Sequence, residues 1–261
     1  MEYLNNPVVA VFAFIFGAVF ASFFGVIIGR HPQGQSIVKP ASHCTNCNHV
    51  LKWYENIPIL SWLFLGGKCS KCKAKIGLFW FIFEVVGACS LLLAYLTSVD
   101  YVDMAFKLAI TLILLLIAGY DYQTHYILDI TWIILAVLTV GYYLYAVLVL
   151  KQPFAQGLIG AAVGFGFFGL FHFVGPLILH KDCLGMGDVI ITTIMGLILK
   201  PFGLLLAILI ASLSGSIITI IVLSKKKQDK DVEIAFCPYL CIGFYVIMLY
   251  GASITSLLLG V

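Results

Sequence analysis

Charge is what this chain lacks most. Only 10% of its 261 residues are Asp, Glu, Lys or Arg, while 62% are hydrophobic and the mean hydropathy is +1.08. A soluble domain is about a quarter charged, so a water-dissolved globule is excluded and lipid must be the solvent for most of the fold. Alternation of apolar and polar residues is missing too, which excludes barrel strands. A backbone in lipid must bond to itself as helices or closed barrels, and the long continuous apolar runs leave helices. Internal repeats and low-complexity linkers are also absent.

The apolar runs predict transmembrane helices near 7–29, 79–98, 104–120, 129–149, 155–179, 188–200, 202–223 and 238–259. The expected fold is therefore all-α, a polytopic integral membrane protein of about eight spans. The sixth run is short for a span of about 20 residues, and Lys200-Pro201-Phe202-Gly203 is a tight break before the seventh. Three regions follow: a first transmembrane helix at 1–29, a polar insert at 30–77 and a helical bundle at 78–261. The first run, Pro7 to Ile28, is too long for a signal-peptide core and lacks a basic start, so it reads as a retained helix rather than a removed leader.

Sidedness comes from Lys and Arg. With the insert inside, Arg30, Lys39, Lys52, Lys68, Lys71, Lys73, Lys75, Lys181, Lys225, Lys226, Lys227 and Lys230 are cytoplasmic, and only Lys107, Lys151 and Lys200 lie outside. The positive-inside rule favours this orientation. The loops around Asp121 and Asp188 then share the cytoplasmic side with the insert. The Lys225–Lys230 cluster reads as a solvated anchor beside anionic headgroups, not a nucleic-acid site.

The acids in or beside the apolar runs are Glu84, Asp121, Asp129 and Asp188. Charges there are costly, so each is a functional candidate. Asp121 ends the third run in Ala118-Gly119-Tyr120-Asp121-Tyr122, and Asp188 opens the sixth in Gly185-Met186-Gly187-Asp188-Val189. Two facing carboxylates can share a proton, one activating water as a base while the other protonates a peptide carbonyl. Glycines at 185 and 187 would let an extended backbone approach. The plainer reading makes Asp188 and Asp129 helix N-caps. Glu84 is open between a substrate or cofactor role and a buried pair with a base of the insert.

Within the insert, Cys44-Thr45-Asn46-Cys47 and Cys69-Ser70-Lys71-Cys72 repeat the CxxC spacing of zinc knuckles, and four thiolates close a tetrahedral structural site. An insert this small needs such a staple. Two disulfides are the rival, disfavoured in a reducing cytosol; an iron–sulfur or redox dithiol site is the other. His43 and His49 read as loop residues rather than ligands. Cys89, Cys183, Cys237 and Cys241 read as small buried hydrophobes.

With these residues in hand, the chain resembles the type IV prepilin peptidases, the leader peptidase and N-methyltransferase family. Ala21-Ser22-Phe23-Phe24-Gly25-Val26 with Arg30-His31-Pro32 is similar to the family's GSFxNV…RxP. Glu55-Asn56-Ile57-Pro58-Ile59-Leu60-Ser61-Trp62 resembles its ENIPxLSW, and Ile76 to Glu84 its segment ending in YPxxE. Tyr120-Asp121 through Leu128-Asp129 resembles its D-x6-PD block, Gly185 to Asp188 its GxGD block, and Phe236-Cys237-Pro238-Tyr239-Leu240 its FGPFL. The chain departs at Gly25, Leu128 and Cys237, where the family usually has Asn, Pro and Gly.

The resemblance implies a bacterial inner-membrane enzyme with catalytic aspartates at Asp121 and Asp188. It would cut type IV prepilins and pseudopilins after the glycine ending a short basic leader. S-adenosylmethionine would then methylate the new N-terminus, a step associated with the tetracysteine insert. Gly25 bears on that second step. Two other classes remain: a proton-coupled transporter using the same acids, against which the absence of repeated halves argues, and a methyltransferase or scaffold without peptidase activity.

Overall fold

The computed structural model describes residues 6–179, 184–225 and 235–259. Lys181, Cys183 and the Lys226, Lys227 and Lys230 part of the basic cluster lie outside the described residues. Among those described there is no strand, only two isolated bridges, and seven helices are long and apolar enough to cross a membrane. They are α1 (Pro7–Arg30), α3 (Leu78–Leu96), α4 (Tyr101–Thr124), α5 (Asp129–Leu148), α6 (Phe154–Leu179), α7 (Met186–Lys225) and α8 (Cys237–Leu259); α2 (Leu60–Phe64) is a short helix of the insert. The protein is thus an all-α, multi-pass membrane protein.

The sixth and seventh expected runs are joined in α7. Lys200 interrupts it with φ 60° and ψ 171°, so one helical run contains the break expected at Lys200-Pro201. Pro201 cannot donate to the preceding turn, and that is why the helix bends there.

The chain divides into two compact units at Gly119/Tyr120. In the first, α1 packs on α3 through glycine. A Cβ at Gly87 would lie 2.6 Å from Ala21 Cβ and 2.9 Å from the Gly17 carbonyl oxygen. Without lipid-excluding hydrophobic force, close backbone approach is what holds such helices together. At their ends Tyr95 Oη donates to the Asn6 carbonyl and accepts from the Asn6 N–H, each at 3.1 Å. α4 starts three residues earlier than its apolar run. Asp100 caps it, its Oδ1 accepting from the Val102 and Asp103 N–H groups at 2.8 and 2.9 Å, and a buried pair lies just inside: Lys107 Nζ lies 2.9 Å from Asp103 Oδ2 and donates to the Thr97 carbonyl, while Asp103 accepts from the Val99 N–H. Cap and pair together extend the helix into polar sequence.

The second unit begins with the last turn of α4 and contains α5 to α8. Its centre is α7, against which α5, α6 and α8 pack. A Cβ at Gly196 would meet the Gly160 carbonyl oxygen at 2.5 Å, and one at Gly164 the Thr192 carbonyl oxygen at 2.6 Å. Small residues at 157, 160 and 164 therefore form the stripe by which α6 holds the N-terminal half of α7.

Candidate active site and metal centre

Both candidate aspartates belong to the second unit. Asp121 is not the end of its helix: α4 continues to Thr124 and is closed by the His125 N–H bonding back to the Asp121 carbonyl at 2.8 Å. Asp188 is the third residue of α7, not its cap, since the helix starts at Met186 and the Asp188 N–H already bonds to the Gly185 carbonyl at 3.2 Å. Asp129 is likewise one residue inside α5, whose N-cap is Leu128; its exposed carboxylate accepts from the Trp132 indole at 3.3 Å. The capping reading thus fails for both in its literal form.

Asp121 and Asp188 are only 6% and 8% exposed. They interact electrostatically with each other, and Asp121 also with His125. Asp121 Oδ2 and Asp188 Oδ1 are buried with no hydrogen-bond partner among the described residues. Buried carboxylate oxygens are ordinarily satisfied, which sets these two acids apart from Asp103, whose carboxylate is paired with Lys107. The main chain around Asp188 is by contrast well tied, with Thr192 Oγ1 donating to the Asp188 carbonyl at 2.5 Å. The glycines divide in role. A Cβ at Gly187 would meet Ile127 Cδ1 at 2.5 Å, so that glycine admits the Ile127 side chain. Among the described residues, a Cβ at Gly185 would meet Asp188 Oδ2 alone, at 3.8 Å.

Cys237 and Cys241, one helical turn apart and expected as small buried hydrophobes, are both buried, their sulfurs 4.0 Å apart. Cys89, expected to be buried, is exposed.

The first unit contains the four insert cysteines. Their sulfurs all lie within 4.8 Å of one another, with Cys44–Cys72 at 3.8 Å and Cys47–Cys69 at 4.0 Å. Thiolates about 2.3 Å from a tetrahedral zinc are spaced in this range, whereas a disulfide needs about 2.05 Å. Each CxxC repeats the same turn. The Asn48 N–H bonds to the Cys44 carbonyl and the Lys73 N–H to that of Cys69; the Cys44 N–H bonds to His49 and that of Cys69 to Ala74. Asn48 and Lys73 take the corresponding positive φ, 54° and 59°. Backbone N–H groups aimed at sulfur favour thiolate at two of the four: those of Asn46 and Cys47 lower the Cys44 pKa, and the Ala74 N–H, with the Asn46 side chain, brings Cys72 down to about 6. At Cys47 the His49 N–H is outweighed by burial and the neighbouring thiols, which push it up to about 11. The donor set and spacing fit zinc.

Glu55, read in sequence only as the start of the ENIPxLSW-like stretch, organises this insert. Buried, it accepts from the Lys52 N–H at 2.8 Å, from Ser70 and from His49 Nε2 at 3.2 Å, and these bonds, the Lys52 one foremost, hold its pKa at about 2. It thereby links the two knuckles. His49 is engaged there and His43 contacts the Ala41 carbonyl, so neither is a fifth ligand. Glu84 accepts the Ile59 N–H at 2.7 Å, the backbone of the insert rather than a base of it, and Ile59 is held at φ 64°.

Residues 15–98 match the family profile described as the bacterial peptidase A24 N-terminal domain, and residues 108–220 that of the type IV leader peptidase family. The chain is similar to the prepilin leader peptidase/N-methyltransferase of Myxococcus xanthus, 35% identical over 84% of this chain and 64% of that protein. It therefore spans somewhat under two thirds of that relative's length. A protein of the same name from Stutzerimonas stutzeri is 30% identical over 98% of this chain and 96% of the relative. A type 4 prepilin-like proteins leader peptide-processing enzyme of Escherichia coli is 30% identical over 81% and 84%. No solved structure matches.

Proposed function

The chain belongs to the type IV leader peptidase family, and from that premise we propose that it is an aspartyl endopeptidase of the bacterial inner membrane that removes the short basic leader of prepilins and pseudopilins at the cytoplasmic face, and then methylates the new N-terminus. The observation that carries the hydrolytic half is the pair of buried, mutually interacting carboxylates, each with one oxygen left without a partner. One carboxylate takes a proton from water as the water oxygen attacks the scissile carbonyl carbon. The other, protonated, gives its proton to the carbonyl oxygen. Collapse of the tetrahedral diol breaks the C–N bond: the leaving amine takes the proton held by the base while one diol hydroxyl returns a proton to the other carboxylate, which restores a singly protonated pair. Gly185, open beside Asp188, leaves room for the substrate backbone.

For the second step S-adenosylmethionine supplies the methyl group. A groove of about 550 Å³ between α1 and the insert has the mixed character such a cofactor needs, with Ser22, Ser42 and Asn56 as polar groups and Phe23 as an aromatic face. Gly25 lies a turn from Ser22, so its departure from the usual Asn falls beside this groove. Glu84, through Ile59, would set the position of the neighbouring Ile57-Pro58 wall. Residues 30–77 would act as the methyl-transfer insert, stapled by one zinc on Cys44, Cys47, Cys69 and Cys72, and 78–261 as the peptidase bundle.

Mass spectrometry of a co-expressed prepilin tests both halves. The expected product lacks its leader and carries one N-terminal methyl group. A processed, unmethylated product removes the methyl-transfer reading, and an unprocessed prepilin beside a folded enzyme removes the peptidase reading.

A further inference from the structure

The insert is strongly one-sided in charge. Residues 30–77 contain seven bases, Arg30, Lys39, Lys52, Lys68, Lys71, Lys73 and Lys75, and a single acid, Glu55, which is buried. A water-facing knuckle of this kind should be polar throughout its surface, yet α2 is not. Its residues Leu60, Leu63 and Phe64, spaced i, i+3 and i+4 on one face, are 49%, 54% and 84% exposed. Trp62, on the other face, stacks on Phe81 of α3 with ring centroids 4.4 Å apart. One side of this short helix is fastened to a membrane helix, and the other leaves three large apolar side chains uncovered among the described residues.

The depth of α2 follows from α3. That helix has 19 residues, which at about 1.5 Å per residue is about 28 Å, close to the thickness of a hydrocarbon core of about 30 Å. Its first residue, Leu78, therefore stands at the polar boundary. Phe81 and Glu84 stand three and six residues in, about 5 to 9 Å below that boundary. They are the residues that bind Trp62 and the Ile59 N–H. The start of α2 is thus held at the depth at which interfacial helices bury their apolar faces, about 5–10 Å. At that depth the Ile59 N–H would lack water, and the Glu84 carboxylate satisfies it.

We propose that the tetracysteine insert is seated in the membrane surface, with Leu60, Leu63 and Phe64 among lipid acyl chains and the exposed lysines at the phosphates of anionic phospholipid. The seven-to-one charge balance selects an anionic headgroup, and the apolar face continues the lipid-facing surface of α3, where Ile82 is also exposed. Such seating presents the insert's groove at the bilayer edge.

The test uses the full chain in nanodiscs of phosphatidylcholine with phosphatidylglycerol. Phe64 is replaced by p-benzoylphenylalanine, Ile82 in a second variant serves as the lipid-facing control, and adducts are identified by mass. Position 64 should give a phospholipid adduct as Ile82 does. An adduct at 82 with none at 64, or a crosslink from 64 to a second copy of the chain, overturns the proposal. Replacing Lys71, Lys73 and Lys75 by Gln should lower the enrichment of phosphatidylglycerol over phosphatidylcholine around the protein about fivefold or more, given about fivefold for each lysine near an anionic surface. Unchanged enrichment overturns the choice of lipid.

Discussion

Replacing Asp188 by Asn should yield a protein that is more stable and inactive. The substitution keeps the shape of the side chain and removes its charge. Asp188 Oδ1 is buried without a partner, and the carboxylate is in electrostatic contact with Asp121. An unsatisfied buried neutral group costs about 1–3 kcal/mol and a charged one more, so at a pH high enough to strip the shared proton and ionise both acids the amide should gain about 1–2 kcal/mol over the carboxylate. For a chain of this size about 1 kcal/mol moves the melting temperature by about 2–4 °C, which gives an expected rise of about 2–8 °C in nanodiscs. The same change removes one half of a proton-sharing pair, and loss of general acid–base catalysis is worth about a hundredfold to ten-thousandfold. Processing of a purified prepilin, followed on gels against thermal unfolding of the same preparation, reads both quantities. A variant that cleaves at more than a tenth of the normal rate, or that melts below the wild type, refutes the reasoning. In the first case the carboxylate is not needed, and in the second its charge was paired after all.

The remaining predictions concern other parts of the molecule. Metal analysis should find one zinc per chain, falling to none in Cys69→Ser, and chelation should unfold the insert without releasing the protein from the membrane. Glu84→Ala should abolish N-terminal methylation while leader cleavage persists, with Glu84→Gln closer to normal because its amide oxygen can still accept the Ile59 N–H; equal loss in both variants would require the charge itself. Gly196→Ala should destabilise by about 1–3 kcal/mol, the range for overpacking, because its Cβ would strike the Gly160 backbone, whereas Gly166→Ala, with nothing within 4 Å, should be neutral or slightly stabilising in the same thermal assay. The Glu55 pKa of about 2, below the ordinary value of about 4.3, makes its linkage to Lys52, Ser70 and His49 favourable above pH about 4 and lost as pH falls through about 2; carboxyl NMR of the labelled residue should show it ionised at pH 3.

The candidate site was legible in sequence to the extent that its chemistry violates its surroundings. Asp121 and Asp188 stood out because carboxylates in apolar runs are rare, and the four cysteines because their spacing has few other uses. What depended on where helices begin was not legible. Asp188 looked like a cap because the apolar run starts with it, but α7 starts two residues earlier at Met186. Asp103 escaped notice for the converse reason, since the run of α4 begins after it and the Asp100 cap and the contact with Lys107 draw it into the helix. Glu55, an acid in a basic loop, resembles any solvated loop residue until the knuckles fold around it. Nor could the role of Gly187 be read without Ile127, which lies 60 positions away in sequence.

The same dependence on packing explains how two unpartnered carboxylate oxygens persist in the folded protein. Buried groups of this kind favour local rearrangement toward any available donor or toward water. Asp188 lies on the first turn of α7, normally a place where a helix frays. Here that turn is clamped: Gly187 is pressed by Ile127, Thr192 binds the Asp188 carbonyl, and Gly160 and Gly164 bring α6 into backbone contact with Gly196 and Thr192 along the following two turns. Asp121 is held in the last turn of α4 by the bond from His125. Because close backbone contact between glycine-bearing helices leaves little room to slide, the stability carried by the α6–α7 seam keeps the carboxylates from finding protein partners. A seam substitution that loosens it without unfolding the bundle should therefore lower the rate of prepilin processing while both aspartates remain in place.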